Sequence, residues 1–303
     1  MTSTNKYSEA QGGLVLRPVA GAPDLAAEVA AADPGRRPEI LARIAADVRA
    51  LIVRTVGDAK FGHIGGDLSV TDVLTTLFFG VLRIRPTEPA WADRDRIILS
   101  KGHCAAALYS VLATANFFQR EALPQFVKPL SPLNGHPNRR KVPGVEANTG
   151  ALGHGMPFAV GCAVAARLSG SDRRVYVILG DGELQEGSNW EAAMAAGHRG
   201  LGNLTAIVDR NGLQQGARTE ATNRLEPLAD KWRAFGWEVV ELDGHDHRRL
   251  LETFQRPHEG RPRCVVAHTI KGKGVSFIED RVEWHHKVPS ADQVKQALEE
   301  LGR

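Results

Sequence analysis

Asp181 and Asn211 stand 30 residues apart in a stretch, GDGELQEGSNWEAAMAAGHRGLGNLTAIVDRNGLQQ, with room between them for a turn, a helix and a strand. Both side chains offer oxygen. Hard cations such as magnesium and calcium take oxygen ligands, and magnesium is commonly held by one or two protein groups plus phosphates. An acid and an amide at the ends of neighbouring strands would meet that need. The pair points to a diphosphate cofactor bridged to the protein by magnesium or calcium.

The elements that must position the pair can be read locally. Residues 174–179 (RVYVIL) form a short apolar, β-branched run, as expected of a buried parallel strand. Gly180 and Gly182 flank Asp181, so the chain can turn sharply and approach phosphate oxygens with no Cβ in the way. Residues 186–200 predict a helix, 204–208 (LTAIV) the next strand, and 209–212 (DRNG) the turn that ends it. Ligands at the carboxyl ends of parallel strands are the rule in open α/β sheets.

A lone Gly-Asp-Gly is a weak signal, because most such tripeptides are ordinary turns. The whole segment is specific. It resembles the thiamine diphosphate signature, GDG followed about 30 residues later by Asn. Its form, EG-x-x-WEA and then L-x-NL-x-x-x-x-D-x-N, is similar to that of the transketolase family. The resemblance implies that Asp181, the Asn211 side chain and the Leu213 carbonyl ligate the metal, and that the Gly182 amide touches the diphosphate. In Ala151–Gly155 (ALGHG) it implies a cofactor contact at Gly153. For Glu186 and Glu191 it implies acidic pairs at a subunit interface linking two active sites, with Glu186 counted among the cofactor-binding residues.

Four of the 11 histidines occupy loop-like settings: His63 in KFGHIGG, His103 in LSKGHCAA, His136 in NGHPN and His285 in EWHHKVP. Imidazoles can shuttle protons near neutral pH, and four turns could converge on one face. Transketolases carry similar segments. The resemblance implies His63 and His285 at substrate oxygens and proton transfer, and His103 beside the cofactor. It implies His136 on the terminal hydroxyl of the donor. His286 stands where the family pattern usually has Gly, and the distance to Pro289 favours His285 over His286. His245 and His247 (GHDH) read as a strand-to-helix turn rather than a metal pair. Lys271–Gly274 (KGKG) lacks the spacing of a P-loop and reads as a mobile loop near the cofactor mouth.

The chain has 303 residues, enough for a large core, and a formal charge of +3. No basic cluster is interleaved with aromatics, which argues against nucleic acid, and no apolar run approaches the 18 or so residues of a membrane span. With no signal-peptide core near the start, the expected location is cytoplasmic. Cys104, Cys162 and Cys264 are few and widely spaced, as expected of reduced, mostly buried thiols.

Residues 1–36 read as a loose arm, part of which could pack on a partner, and 37–303 as the diphosphate-binding domain. Residues 37–56 predict a helix, 57–66 a flexible Gly-rich loop, and Ser69 the N-cap of a helix reaching residue 82. A strand is expected at 95–99 and helices at 103–115 and 155–168. Residues 124–150 form a long Pro/Gly/Asn-rich connection. After the signature come helices near 226–235 and 246–255, strands at 237–242 and 263–267, and a capping box, Ser290 with Gln293, opening the last helix. Such alternation predicts an α/β fold, a doubly wound parallel sheet with helices on both faces.

In the transketolase family the carboxylate that polarises the cofactor's aminopyrimidine sits on a second, pyrimidine-binding domain. The resemblance here covers residues from about 40 to 300. The orderly last helix and the close at Arg303 lead us to expect a natural end. The resemblance therefore implies the N-terminal subunit of a split transketolase, active with a separate C-terminal pyrimidine-domain subunit, in an α2β2 heterotetramer. It would transfer a two-carbon ketol unit reversibly from a ketose (phosphate) to an aldose (phosphate). The rival readings are a subunit of another thiamine diphosphate enzyme, 1-deoxyxylulose-5-phosphate synthase-like or of the 2-oxoacid decarboxylase/dehydrogenase type, and a non-catalytic regulatory module on the same fold.

Overall fold

Strand residues 175–180, 204–209 and 263–267 are buried throughout, which only a sheet covered on both faces allows. The computed structural model describes residues 14–258 and 260–303. Its strands β1 (Arg96–Leu99), β2 (Val175–Gly180), β3 (Leu204–Arg210), β4 (Glu238–Asp243) and β5 (Arg263–His268) pair in parallel in the order β1-β2-β3-β5-β4. The helices are α1 (Leu25–Ala31), α2 (Arg37–Ala59), α3 (Ile64–Ser69), α4 (Thr71–Gly80), α5 (Ala105–Thr114) and α6 (Gly155–Leu168). They continue with α7 (Gly187–His198), α8 (Thr219–Thr222), α9 (Leu228–Ala234), α10 (His247–Gln255) and α11 (Ala291–Glu300).

Alternate residues of each strand feed two cores. Tyr176, Ile178, Ile207 and Val265 join the aliphatic faces of α2, α4 and α5. Val175, Val177, Leu179 and Val208 join Met156, Ala193 and Trp232 of α6, α7 and α9. This is the two-fold period of a strand expressed as packing. Each fully buried aliphatic side chain contributes about 1.5–3 kcal/mol. The doubly wound parallel sheet expected from the sequence is the fold.

Helix ends show where local chemistry decided. The Asp246 carboxylate accepts the Arg248 and Arg249 amides at the start of α10, and Ser290 with Gln293 forms the full capping box of α11. Three expectations fail. Residues 57–66 are not a flexible loop: α2 runs to Ala59, Lys60 turns left-handed at φ 53°, and α3 begins at Ile64. Gly57 is there because α2 and α11 approach closely, and a Cβ would lie 2.6 Å from Val294 Cγ2. Ser69 does not cap a helix. Its hydroxyl donates to Asp209 Oδ2 at 2.6 Å, and Val70 takes the N-cap position of α4. The KGKG segment is packed, with Lys271 only 2% exposed and the Gly272 N–H donating to the Gly65 carbonyl at 2.8 Å.

Of the segment expected to be a loose arm, residues 1–13 lie outside the described residues. Residues 14–36 include α1, with Asp24 as its cap and Val29 buried, and Leu16 joins the core. Cys104 and Cys264 are buried free thiols, and Cys162 is half-buried. Among the described residues no helix is long and apolar enough to cross a membrane.

Candidate active site

The register aligns Gly180 with Asp209, so the ends of β2 and β3 lie side by side. Asp181 follows the first strand directly and is 2% exposed. Its Oδ1 accepts the Gly182 N–H at 2.8 Å. Its Oδ2 accepts the Gly212 N–H at 2.6 Å and Arg210 Nη1 at 3.1 Å. Burial, followed by the nearby Asp209, pushes the Asp181 carboxyl above its usual range against these donors. Asn211 Oδ1 accepts the Leu213 N–H at 3.1 Å, and its amide nitrogen faces Ser69 and Asp209. The Leu213 carbonyl accepts Lys271 Nζ at 3.2 Å. Asp181, Asn211 and Leu213 are thus gathered by one turn.

Beneath this turn lies a network the sequence reading missed. Lys101, 1% exposed, donates to Asp209 Oδ2 and, at 3.3 Å, to the Gly66 carbonyl. Ser69 and Thr269 donate to the same carboxylate. Burial works against both charges, but each partner outweighs it: Lys101 is driven up and Asp209 is held down. Glu183 was missed as well. Its Oε1 accepts Ser100 Oγ at 2.5 Å and the Gly153 N–H at 3.0 Å, and its Oε2 accepts the Gly180 N–H at 3.0 Å. One buried carboxyl thereby joins the turn after β1, the turn after β2 and the approach to α6. Gly153 itself is left-handed at φ 82°, and a Cβ there would meet Ser188 Oγ at 2.5 Å. Glu186 is the exposed N-cap of α7 beside it, and Glu191 is exposed on the same helix. No local pattern announced Glu183 or Lys101, since their partners come from other strands.

Three of the four expected histidines, His63, His103 and His285, meet. The His63 ring lies 5.1 Å from His103, 5.4 Å from His285 and 4.6 Å from His286. His103 and His285 stack at 5.5 Å. Lys271 Nζ sits 2.8 Å from His285 Nδ1, while His286 is exposed and packs edge-on against Phe61. Both late histidines belong to the cluster. The lysine contact marks His285 as the fixed one. His136 is exposed on the 124–150 connection. Tyr109 Oη donates to the Asn134 carbonyl at 3.0 Å, and Gly150 packs under the imidazole.

Burial is the main cause that lowers His63 to about 4 and His285 to about 3, with neighbouring imidazoles and Lys271 adding to it. Burial and Lys101 hold His103 well below its ordinary value. These three rings are neutral at pH 7. Burial and Lys101 also lower Lys271, to about 8. His154, at the head of α6, bonds locally, to the Leu152 carbonyl. The GHDH pair is structural: His245 and His247 both face Asp72, which also holds Arg49.

Fold and site together define a class: a parallel α/β domain with buried carboxyl groups at adjoining strand ends and, joined to that turn through Lys271, a cluster of neutral imidazoles. A family model described as the thiamine diphosphate binding domain of transketolase matches residues 40–303. An apulose-4-phosphate transketolase subunit of Actinobacillus succinogenes is 49% identical over 255 residues, 84% of this chain and 92% of that protein. The 6-deoxy-6-sulfo-D-fructose transketolase subunit SqwG of a Clostridium species is 41% identical, covering 84% of this chain and 93% of that one. Transketolase from Campylobacter jejuni superimposes with a TM-score of 0.82 at 33% identity, covering 87% of this chain but only 43% of its own. The chain belongs to the transketolase family, as its thiamine diphosphate binding domain. It is an enzyme subunit of the ketol-transferring kind.

The residues present fit that cofactor. Among the described residues, His63 Nδ1, Thr149 Oγ1 and Gln214 Oε1 are buried polar atoms without a hydrogen-bond partner. Gln214 packs against Gly182, and Thr149 against Gly102. These are three of twelve such atoms among the described residues, and they lie at the GDG turn, the Gly102 turn and the histidine cluster, where a polar guest would pair them.

Proposed function

We propose that this chain is the diphosphate-binding component of a two-component transketolase, completed by a separate pyrimidine-domain subunit. The reaction would be reversible transfer of a two-carbon ketol unit between a ketose and an aldose. The observation that carries this reading is the convergence of His63, His103 and His285, three uncharged rings within about 5.5 Å of one another, beside the Asp181–Asn211 turn.

Bound thiamine diphosphate supplies the nucleophilic carbon and the electron sink. This chain's residues do the rest. Asp181, Asn211 and the Leu213 carbonyl would hold magnesium. Three oxygens with a single carboxylate suit a hard cation that takes its other ligands from phosphate. The Gly182 N–H and Lys271 would face the diphosphate. His63 and His285, neutral at working pH, can accept or share protons at sugar oxygens, and His103 lies against the cofactor. His136 would receive the donor's terminal hydroxyl.

For a partner, the support is a surface. Leu152, Phe158 and Met194 are exposed on and beside α6 and α7, next to Glu186 and Glu191. An apolar face with acidic members suits a subunit interface, and an α2β2 assembly in the cytoplasm is the arrangement we favour. The test is reconstitution. The chain with thiamine diphosphate and magnesium should not turn over a ketose–aldose pair until a pyrimidine-domain subunit is added. Turnover by the chain alone overturns the two-component reading.

A further inference from the structure

Asp67 lies fully buried on α3, four residues after His63, where none of the chemistry above requires a carboxyl group. Its backbone N–H donates to the His63 carbonyl at 3.0 Å, and its Oδ1 accepts the Ala107 N–H at 2.9 Å. Ala107 is the third residue of α5, the helix that begins two residues after His103. The first amides of a helix have no partner within it. Cys104, the N-cap of α5, makes no side-chain cap bond, and Asp67 satisfies one of these amides from another helix. The facing groups are Lys101 from the turn after β1, His63 at the head of its own helix, and Cys104 before α5. Among the described residues Asp67 Oδ2 has no hydrogen-bond partner, although the His63 backbone lies near enough to favour the charged carboxylate. Burying a carboxyl with one oxygen unsatisfied is costly, so a compensating role is expected. Burial outweighs the Ala107 amide and Lys101, and pushes the group up to about 7.

We infer that Asp67 is a positioning residue that fixes His63 against His103, its Oδ1 capping α5 from α3. It touches neither cofactor nor substrate. It acts through the two helix starts, whose rings stand 5.1 Å apart. A misplacement of about 1 Å among reacting groups can cost about 100-fold in rate.

The activity arm rests on the proposed ketol transfer and uses the reconstituted enzyme. Asp67→Ala should lower kcat about 30-fold with KM moved less than about threefold. Asp67→Asn keeps an oxygen for the Ala107 N–H and should return kcat to within about threefold of the parent. The second arm follows the imidazole titrations of His63 and His103 by NMR on the chain alone. Asp67→Ala should raise both midpoints by about one unit as water reaches the rings, and Asp67→Asn should leave them in place. Unchanged kcat and titrations in Asp67→Ala overturn the inference, as does an Asn variant with moved titrations. If Asp67→Ala does not fold, the Asn variant decides by the same readings. A parent enzyme without ketol transfer would sink the functional reading, while the NMR arm would still judge Asp67.

Discussion

Two parts of the site control charge in opposite ways. At the ends of β2 and β3, opposite charges are matched: buried Lys101 with buried Asp209, and Arg210 with buried Asp181 and the more exposed Glu220 and Glu226. In the histidine cluster, burial removes charge, and His63, His103 and His285 are neutral. The two buried lysines show the reason. Lys101 faces a carboxylate and is raised, whereas Lys271 faces a carbonyl and an imidazole and falls to about 8. Desolvation acts on both amines, and a carboxylate partner decides which way each moves. One part can anchor a charged guest, and the other can exchange protons.

The comparison can be broken at its anchor first. Asp181→Ala should weaken magnesium-dependent retention of thiamine diphosphate about 100-fold or more, with the fold intact. Calorimetry with and without magnesium measures it, and undiminished affinity would remove Asp181 from the anchor. Next come the lysines. Lys101→Met strands the Asp209 carboxylate and should cost about 3–5 kcal/mol in urea unfolding. Lys271→Met has no carboxylate to strand and should stay within about 1 kcal/mol. Equal losses would erase the contrast.

A smaller effect is read from pH. Below about 8 the Lys271 amine is protonated in both the folded and the unfolded chain, and folding carries the full cost of burying that charge. From about 8 up to 10.5 the unfolded chain still holds the proton that the folded one has released, so stability rises with pH over that window. Lys271→Met should lack the rise. Asp67 gives the opposite slope: from 3.8 to about 7 the folded chain holds the proton longer, and stability falls with pH until both states are ionised. Thermal scans at stepped pH on the Asn variant should show that fall removed. Smallest of all, His136→Ala should raise the donor KM about tenfold and leave the cofactor Kd within about twofold. Equal changes in both would make His136 structural.

Much of this was legible along the chain because it is punctuated locally. GDG, the DRNG turn and the buried apolar runs are short-range signals, and they locate the β2 and β3 ends to within a residue or two. The histidine loops were legible as settings rather than as a cluster. Gly57 misled, since a glycine that permits a loop also permits close helix packing. Ser69 misled because its hydroxyl serves a carboxylate 140 residues away instead of the next helix.

The sequence by itself determined the alternation of strands and helices, the family signature and the oxygen-bearing turn, since each depends on neighbours within a few residues. Only the tertiary structure decided that Lys101 would neutralise Asp209 across 108 residues, that Glu183 would bind three turns together, and that Asp67 would cap a distant helix. Those pairings exist once the sheet stacks its strand ends side by side, because burial then forces every polar atom near them to find a partner.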